Sequence, residues 1–220
     1  MPMTFVKEAW PFVLPFAVLS VCLFLFRHPA WGVTAAVVGL GVLLFFRDPK
    51  RRFDGPAEVV LAAGDGVVTR VDTVEDGAVG SGTFRRVVTF LSVFDVHVQR
   101  TPVAGEVVAS ELTRGRNVAA FRANAGEVNE NHLTVIRRDN GDLIGVRQIA
   151  GVLARRVVCY VDEGRVVERG ELMGIIRFGS RVDLMVPHHY EVLVAKGDRL
   201  RTGASAVARP GPGSSAGEGP

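Results

Sequence analysis

Two long apolar runs near the start of the chain constrain its fold more than any other feature of the sequence. The first covers residues 10–26 and the second covers residues 31–46, and neither contains a charged side chain. Each is close to the shortest helix that crosses a hydrocarbon core of about 30 Å. The short segment between them contains Pro29, which fits a tight turn. We therefore predict a membrane helical hairpin over residues 10–46, after a short N-terminal tail of residues 1–9.

Basic residues at the two ends of this hairpin predict its orientation. Lys7 precedes the first run, and Arg47, Lys50, Arg51 and Arg52 follow the second. Because basic flanks are retained on the cytoplasmic side, we expect both ends there, with the rest of the chain on the cytoplasmic face of the cell membrane. Two buried helices of a soluble domain, or a hairpin that enters the bilayer without crossing it, are the alternatives.

The rest of the chain has the pattern of a β-rich domain over residues 47–208. Short runs rich in valine and isoleucine alternate with turn signals. The clearest turns are Asp65-Gly66, Asn140-Gly141 and Lys196-Gly197. The last residues, 209–220, are rich in proline, glycine and serine, which predicts a disordered tail.

A weak internal repeat refines the predicted fold. Residues 164–171 and 197–204 share the spacing G-x-x-[VL]-x-x-G, which sets an apolar residue between two turns. This spacing resembles the half-barrel units of lipoyl and biotinyl domains, although no lysine stands at a hairpin tip in the Met-Lys-Met setting of those carriers. The predicted fold is mainly β: a barrel-sandwich-like domain with lipoyl/biotinyl-like half-barrel repeats, preceded by the two-helix membrane hairpin.

Charge and cysteine content narrow the classes of function. The formal net charge is +3 and the basic residues are scattered without interleaved aromatic residues, so we expect no nucleic-acid partner. Cys22 and Cys159 provide neither a disulfide framework nor a paired-cysteine metal site, which suits a reducing compartment. We predict no metal site.

The stretch IIRFGSRVD, residues 175–183, interrupts an otherwise ordinary strand pattern with Gly179 and Ser180. Glycine inside a strand marks a bulge or a close approach by another group. A Gly-Ser peptide in a strained turn can also undergo an N-to-O acyl shift, because glycine leaves its carbonyl carbon open to the serine hydroxyl. β-Elimination of the ester and loss of ammonia then convert the serine to a pyruvoyl group. The first step needs a base and oxyanion donors.

Several further motifs stand in the order found in a known family. They are FFRDP at 45–49, AAGDGV at 62–67, FLSVFDVH at 90–97, RTP at 100–102, NEN at 129–131, IRFGSRVD at 176–183 and GD at 197–198. With these motifs, residues 45–208 resemble the short-form phosphatidylserine decarboxylases, which cleave themselves and depend on a pyruvoyl group.

The resemblance implies an enzyme that converts phosphatidylserine in the bilayer to phosphatidylethanolamine. Its cofactor would be a pyruvoyl group made from Ser180, and the substrate amine would form a Schiff base with it. Cleavage between Gly179 and Ser180 would give chains 1–179 and 180–220, which stay associated. A homodimer is left open.

Matching motifs also imply catalytic roles for Ser180, Asp95 and His97, the last two as an acid–base pair beside the cleavage point. The spacing of Asp95 and His97 predicts that both side chains lie on one face of a strand.

Three further residues are candidates for substrate binding. Arg177 and Arg181 flank the Gly-Ser pair, and a guanidinium suits the anionic lipid phosphate. His132 is either a further site histidine or an ordinary residue at the start of a strand.

Other interpretations of the same residues stay open. The chain could be a membrane-anchored adaptor or scaffold of barrel-sandwich type, with Gly179-Ser180 as a bulge. A membrane-anchored metallopeptidase would need a His-x-His or His-x-x-x-Asp pair, and the sequence has neither. A decarboxylase of a related serine-headgroup lipid, such as archaetidylserine, fits the same motifs.

Overall fold

The computed structural model of the chain describes residues 3–115, 129–151, 156–177 and 180–212, with Ser180 described by its backbone alone. These residues fall into two compact units, Met1–Lys50 and Arg51–Pro220. Residues 178–179, which include half of the predicted cleavage site, lie outside the described residues, as do residues 213–220 of the predicted tail.

The first unit is a pair of antiparallel helices closed by a short ladder. Helix α1 covers Trp10–Leu25, after a 3-10 turn at Lys7–Ala9, and helix α2 covers Pro29–Phe45. Strands β1 (Met3–Phe5) and β2 (Arg47–Pro49) pair antiparallel beside them. The helical stretch Lys7–Leu25 is long and apolar enough to cross a membrane, whereas α2 is shorter.

Small residues let the two helices approach closely. A side-chain carbon on Gly39 would lie 3.0 Å from Cβ of Phe16, and the Ser20 hydroxyl donates a 2.8 Å hydrogen bond to the Gly32 carbonyl. Large apolar side chains face outward instead, such as Leu25 and Trp31, which are 76% and 67% exposed. The predicted hairpin of two apolar helices is therefore confirmed.

The second unit consists of short antiparallel strands rich in valine and isoleucine. They are β3 (Val60–Leu61), β4 (Gly66–Glu75), β5 (Thr83–Leu91), β6 (Val98–Arg100), β7 (Gly105–Thr113), β8 (Asn131–Arg137), β9 (Leu143–Ala150), β10 (Val157–Cys159), β11 (Val166–Val167), β12 (Leu172–Ile176), β13 (Ser180–Pro187), β14 (Tyr190–Val192), β15 (Arg199–Leu200) and β16 (Ala206–Pro210).

These strands form three sheets that share a hydrophobic core. The largest has eight strands in the order β11-β7-β8-β9-β13-β5-β4-β15, and the two smaller ones have the orders β10-β12-β6 and β14-β16-β3. The large sheet curls into a half-barrel. Buried side chains from all three sheets form the core, among them Val60, Ile144, Ile176, Val182 and Val207. The mainly β fold predicted from the sequence is confirmed.

The internal repeat occupies the two edges of the large sheet. In each copy a short strand lies between two turns whose glycines have positive φ. Strand β11 pairs with β7 at one edge, and β15 pairs with β4 at the other. The equivalent apolar residues Val167 and Leu200 are both buried. The repeated spacing therefore predicted two equivalent units, each a short strand between two turns.

Two sequence expectations need correction. Residues 175–183 are not one interrupted strand: β12 ends at Ile176 in a three-stranded sheet, and β13 begins at Ser180 in the eight-stranded sheet. At the other end, β16 continues to Pro210, which lies inside the segment predicted to be a disordered tail. Its pairing with β14 accounts for the extension.

Candidate active site

The predicted cleavage pair lies where the chain passes between two sheets. Strand β13 is a central strand of the large sheet, and its first residue, Ser180, stands opposite Ala150 of β9 and Leu91 of β5. Strand β12 ends at Ile176, opposite Val157 of β10. Only residues 177–179 connect the two strands, and this connection is called the cleavage segment below. Both of its ends are fixed by sheet pairing.

A second segment spans the same gap. Leu91 stands opposite Ser180 in the large sheet, and Val98 stands opposite Ile175 in the small one. The loop of residues 92–97 joins Leu91 to Val98 and therefore connects the same two sheets beside the cleavage segment.

Asp95 and His97 both lie in this loop, not in a strand as their spacing predicted. The Asp95 carboxylate accepts hydrogen bonds from the Ser92 main-chain N–H and hydroxyl, both 2.8 Å long. Its other oxygen accepts one of 3.1 Å from Arg199. The carboxylate thus closes a turn at the end of β5, because a short acidic side chain satisfies main-chain donors there.

His97 is fully buried, and main-chain bonds fix its position. Its Nδ1 lies 2.9 Å from the main-chain oxygen of Asp95. Since a carbonyl oxygen only accepts, Nδ1 carries the proton of the neutral ring, and Nε2 is the nitrogen able to take up another. The His97 carbonyl accepts from the N–H of Ile176, at 3.2 Å, and from Gln99 Nε2, at 2.8 Å. Buried Gln148 in turn donates to Gln99.

The contact between Asp95 and His97 is made through the backbone of Asp95. The hydrogen bond joins the His97 ring to the main-chain oxygen of Asp95 and not to its carboxylate. The two residues share one loop, and the backbone orients the ring.

Asn129 and Glu130 hold the strands on either side of the cleavage segment. The Glu130 carbonyl accepts from the Ala150 N–H at 2.9 Å, and the Asn129 side chain donates to the Ala150 carbonyl at 2.6 Å. Glu130 Oε1 accepts from the Val157 N–H at 3.0 Å. Ala150 and Val157 are the partners of Ser180 and of the last residue of β12, so these two side chains fix both anchors. The sequence motif NEN marked this segment without indicating the role.

A cavity of about 800 Å³ opens beside Glu130 and Val157. Its polar lining includes Arg114, Arg156 and Arg177, together with Glu130, His132, Cys159 and Asp162. Two of the three predicted substrate-binding residues, Arg177 and His132, thus meet in one cavity. Arg114 and Arg156 were missed because they come from segments without a motif.

Burial sets the protonation of two groups in this cavity. Desolvation lowers the pKa of His132, although the negative charge of Asp162 partly opposes the shift. Desolvation also raises the pKa of the Cys159 thiol. Both groups are therefore neutral near pH 7, and the positive charge of the cavity comes from its arginines.

Arg181, the third predicted substrate-binding residue, has a different environment. It is 3% exposed, and its Nε and Nη2 donate to the two carboxylate oxygens of Asp183, each at 2.6 Å. A buried bidentate pair of this kind is costly to break. Arg181 is therefore engaged in a buried ion pair and, unlike Arg177 and His132, is not among the residues that line the cavity.

The AAGDGV motif packs against the start of β13. A side-chain carbon on Gly64 would lie 3.1 Å from Val182 and 3.7 Å from Leu91, so glycine permits this close approach. The adjacent Asp65 is buried and accepts hydrogen bonds from Arg51 and from the Thr202 main-chain N–H. The motif thus connects the beginning of the β unit to its C-terminal repeat.

Comparisons with known proteins agree with this arrangement. The family model described as phosphatidylserine decarboxylase matches residues 39–208. A phosphatidylserine decarboxylase proenzyme of Symbiobacterium thermophilum is 42% identical, over 92% of this chain and 94% of the relative. One of Gluconobacter oxydans is 40% identical, over 92% and 93%. A protein of Methanothermobacter thermautotrophicus, provisionally named archaetidylserine decarboxylase proenzyme, is 42% identical, over 86% and 89%.

Proposed function

The chain belongs to the phosphatidylserine decarboxylase family, and on that basis we propose that it cuts itself between Gly179 and Ser180 and then converts phosphatidylserine to phosphatidylethanolamine. The observation that carries the proposal is the three-residue connection 177–179. Both of its ends are held by sheet pairing, and the loop that carries His97 spans the same gap.

Self-cleavage uses groups of the chain itself. The Ser180 hydroxyl attacks the carbonyl carbon of Gly179, the C–N bond breaks, and an ester replaces the amide. His97 Nε2 accepts the hydroxyl proton, since Nδ1 is engaged by the main chain. Removal of the α-proton of Ser180 then expels the Gly179 carboxylate. Addition of water and departure of ammonia leave a pyruvoyl group at residue 180.

The residues present fit such a group. After the cut, residue 180 must stay in place as a new N-terminus, and pairing of β13 with both β9 and β5 supports this. A pyruvoyl group supplies an electrophilic carbonyl for the substrate amine and an electron sink for the decarboxylation. Buried His97 excludes water on one side and is our candidate to return a proton to the product carbon.

The same pairing supports association of the two product chains. Strands β13, β15 and β16 of chain 180–220 each pair with a strand of chain 1–179. Most of the main-chain hydrogen bonds around β13 therefore persist when one peptide bond is lost.

We assign the arginine-lined cavity to the anionic headgroup of the lipid. Arg177 is the first residue of the connection 177–179, and the Arg114 and Arg156 guanidiniums add positive charge. Guanidinium groups bind phosphate oxygens in bidentate geometry and are always charged. His132, neutral through burial, would contribute a hydrogen bond and no charge.

Replacing Arg156 by Ala tests this assignment. We expect KM for phosphatidylserine to rise about tenfold, since one charge-assisted hydrogen bond is lost, while kcat stays within about twofold because the proposal gives Arg156 a role in binding alone. The matched control is Arg209→Ala, which removes an exposed ion pair between Arg209 of β16 and Glu191 of β14. An unchanged KM in Arg156→Ala, or an equal rise in Arg209→Ala, would show that the cavity does not bind the lipid headgroup.

Glu130 provides a separate test of the cleavage geometry. In Glu130→Ala the Val157 N–H loses its acceptor, so we expect self-cleavage to slow about tenfold. Glu130→Gln keeps an acceptor oxygen and should cleave at close to the normal rate. Timed denaturing gels after cell-free synthesis measure both rates. Equally slow cleavage in the two variants would show that Glu130 acts through its charge and not by holding Val157.

We also propose attachment to the membrane by the N-terminal hairpin, with the β unit on the cytoplasmic side. The apolar stretch Lys7–Leu25 supports attachment, and the basic residues after α2 support the orientation. Protease treatment of inside-out and right-side-out membrane vesicles tests the orientation. We expect the β unit to be digested only in the inside-out vesicles.

A second substrate stays open because the headgroup chemistry is the same. The relative from Methanothermobacter thermautotrophicus carries the name of an archaetidylserine enzyme. Assaying the purified chain with each lipid tests both substrates. Equal turnover would show that the site recognises only the serine headgroup, and unequal turnover would identify the preferred lipid.

A further inference from the structure

The loop that carries Asp95 and His97 also presents apolar side chains to solvent. Phe94 is 85% exposed and Val93 is 44% exposed. Apolar side chains scattered singly on a surface are ordinary. These two are adjacent in sequence, however, and they lie four and three residues before His97, inside the loop that borders the cleavage segment.

The turn that displays them is rigidly held. The Asp95 main-chain N–H donates to the Ser92 carbonyl at 3.0 Å, and the Asp95 carboxylate accepts two hydrogen bonds from Ser92 in return. The backbone on both sides of Val93 and Phe94 is therefore fixed. Their exposure is a property of the folded turn and not of a loose segment.

One basic residue contacts this turn, and two more stand near that residue in the sequence. Arg199 is 69% exposed at its side chain and contacts the Asp95 carboxylate at 3.1 Å. Lys196 and Arg201, on either side of β15, are also exposed. An apolar tip beside lysine and arginine is the pattern of segments that enter the headgroup region of anionic bilayers.

We infer that the turn Ser92–Asp95 inserts Phe94 and Val93 into the boundary between headgroups and acyl chains of the bilayer, while Lys196, Arg199 and Arg201 contact anionic headgroups. The inference rests on the proposed function, because it names the surface through which that site reaches its lipid. Insertion of this turn would place residue 180 at the level of the headgroups, where the serine carboxylate of the substrate lies.

Replacing Phe94 by Ser tests the inference in full-length, self-cleaved protein reconstituted in phosphatidylcholine vesicles. With phosphatidylserine in the vesicles, we expect kcat/KM to fall about tenfold, since a large apolar side chain no longer enters the bilayer. With a water-soluble short-chain phosphatidylserine, kcat/KM should stay within about twofold. The control, Val166→Ser, removes a smaller apolar side chain that is 76% exposed on β11, away from this loop in sequence, and should behave like the unaltered chain with both substrates.

Insertion is also measured without turnover. A Phe94→Cys chain in a Cys22→Ser, Cys159→Ser background is labelled with an environment-sensitive fluorophore, and a Val166→Cys chain serves as the control. We expect a blue shift in phosphatidylserine-containing vesicles for the label at 94 and none at 166. This readout separates failure of the inference from failure of the proposed activity.

Two results would overturn the inference. Equal loss with both substrates in Phe94→Ser, with no blue shift, would show that Phe94 acts inside the site. The same loss accompanied by a change in oligomeric state in detergent would show that a second copy of the chain covers the turn.

Discussion

Replacing Ser180 by Ala is expected to leave the chain uncut and without decarboxylase activity. No hydroxyl remains to attack the Gly179 carbonyl, so neither the cut nor the pyruvoyl group can form. The backbone of β13 is unaffected, because Ala accepts the same extended conformation and the same pairing with β5 and β9. Intact-mass measurement of the purified protein shows the outcome directly: the unaltered chain gives a fragment ending at Gly179 and a fragment 180–220 with a blocked N-terminus, whereas the variant gives one full-length mass.

Ser81→Ala is the matched control, since Ser81 is an exposed serine before β5 and should leave cleavage and turnover unchanged. Cleavage at the same position in Ser180→Ala would contradict the mechanism. If the unaltered chain instead remains uncut after prolonged incubation, the alternative of a membrane-anchored adaptor with a harmless Gly-Ser bulge becomes the better account.

Replacing His97 by Ala should slow self-cleavage on the order of 100- to 10,000-fold, the usual contribution of a positioned general base. Full-length chain would accumulate and be visible on a denaturing gel. The ring is fully buried, so its removal leaves a space that free imidazole can enter. Partial recovery of cleavage on addition of imidazole would distinguish loss of the base from a packing defect.

His189→Ala provides the control, because this histidine is half exposed and lies beside Asp142, in the segment between β13 and β14. Its cleavage rate should match that of the unaltered chain. Normal cutting in His97→Ala would assign the base to another residue. Slow cutting without rescue by imidazole would indicate that the buried ring acts by packing and not as the base.

Features that depend on local sequence were predicted well. An uncharged apolar run leaves few alternatives to a helix, and both helices of the hairpin occur where the runs stand. The G-x-x-[VL]-x-x-G repeat fixed two turns and one buried residue, and both copies fold that way. Short-range spacing and positive-φ glycines carry this information within a few residues of chain.

Features that depend on distant pairing were not predicted. A strand pattern does not reveal which sheet a residue joins, so IIRFGSRVD had the pattern of one strand although Ile176 and Ser180 have partners in different sheets. The i, i+2 spacing of Asp95 and His97 suits a strand face only if the strand continues, and the Ser92–Asp95 hydrogen bonds end it. The pairing of Arg181 with Asp183 likewise depends on burial, which the sequence around the cleavage site does not show.

The central position of β13 has a consequence for the reversibility of unfolding. Before the cut, the sheet closes by a first-order search within one chain, and its rate does not depend on protein concentration. After the proposed cut, a fully unfolded molecule would be two separate polypeptides, and β13 would have to return between β5 and β9 by a bimolecular encounter. The chain would then be assembled once, as a precursor, and the cut form would rely for its lifetime on a slow rate of unfolding rather than on repeated refolding.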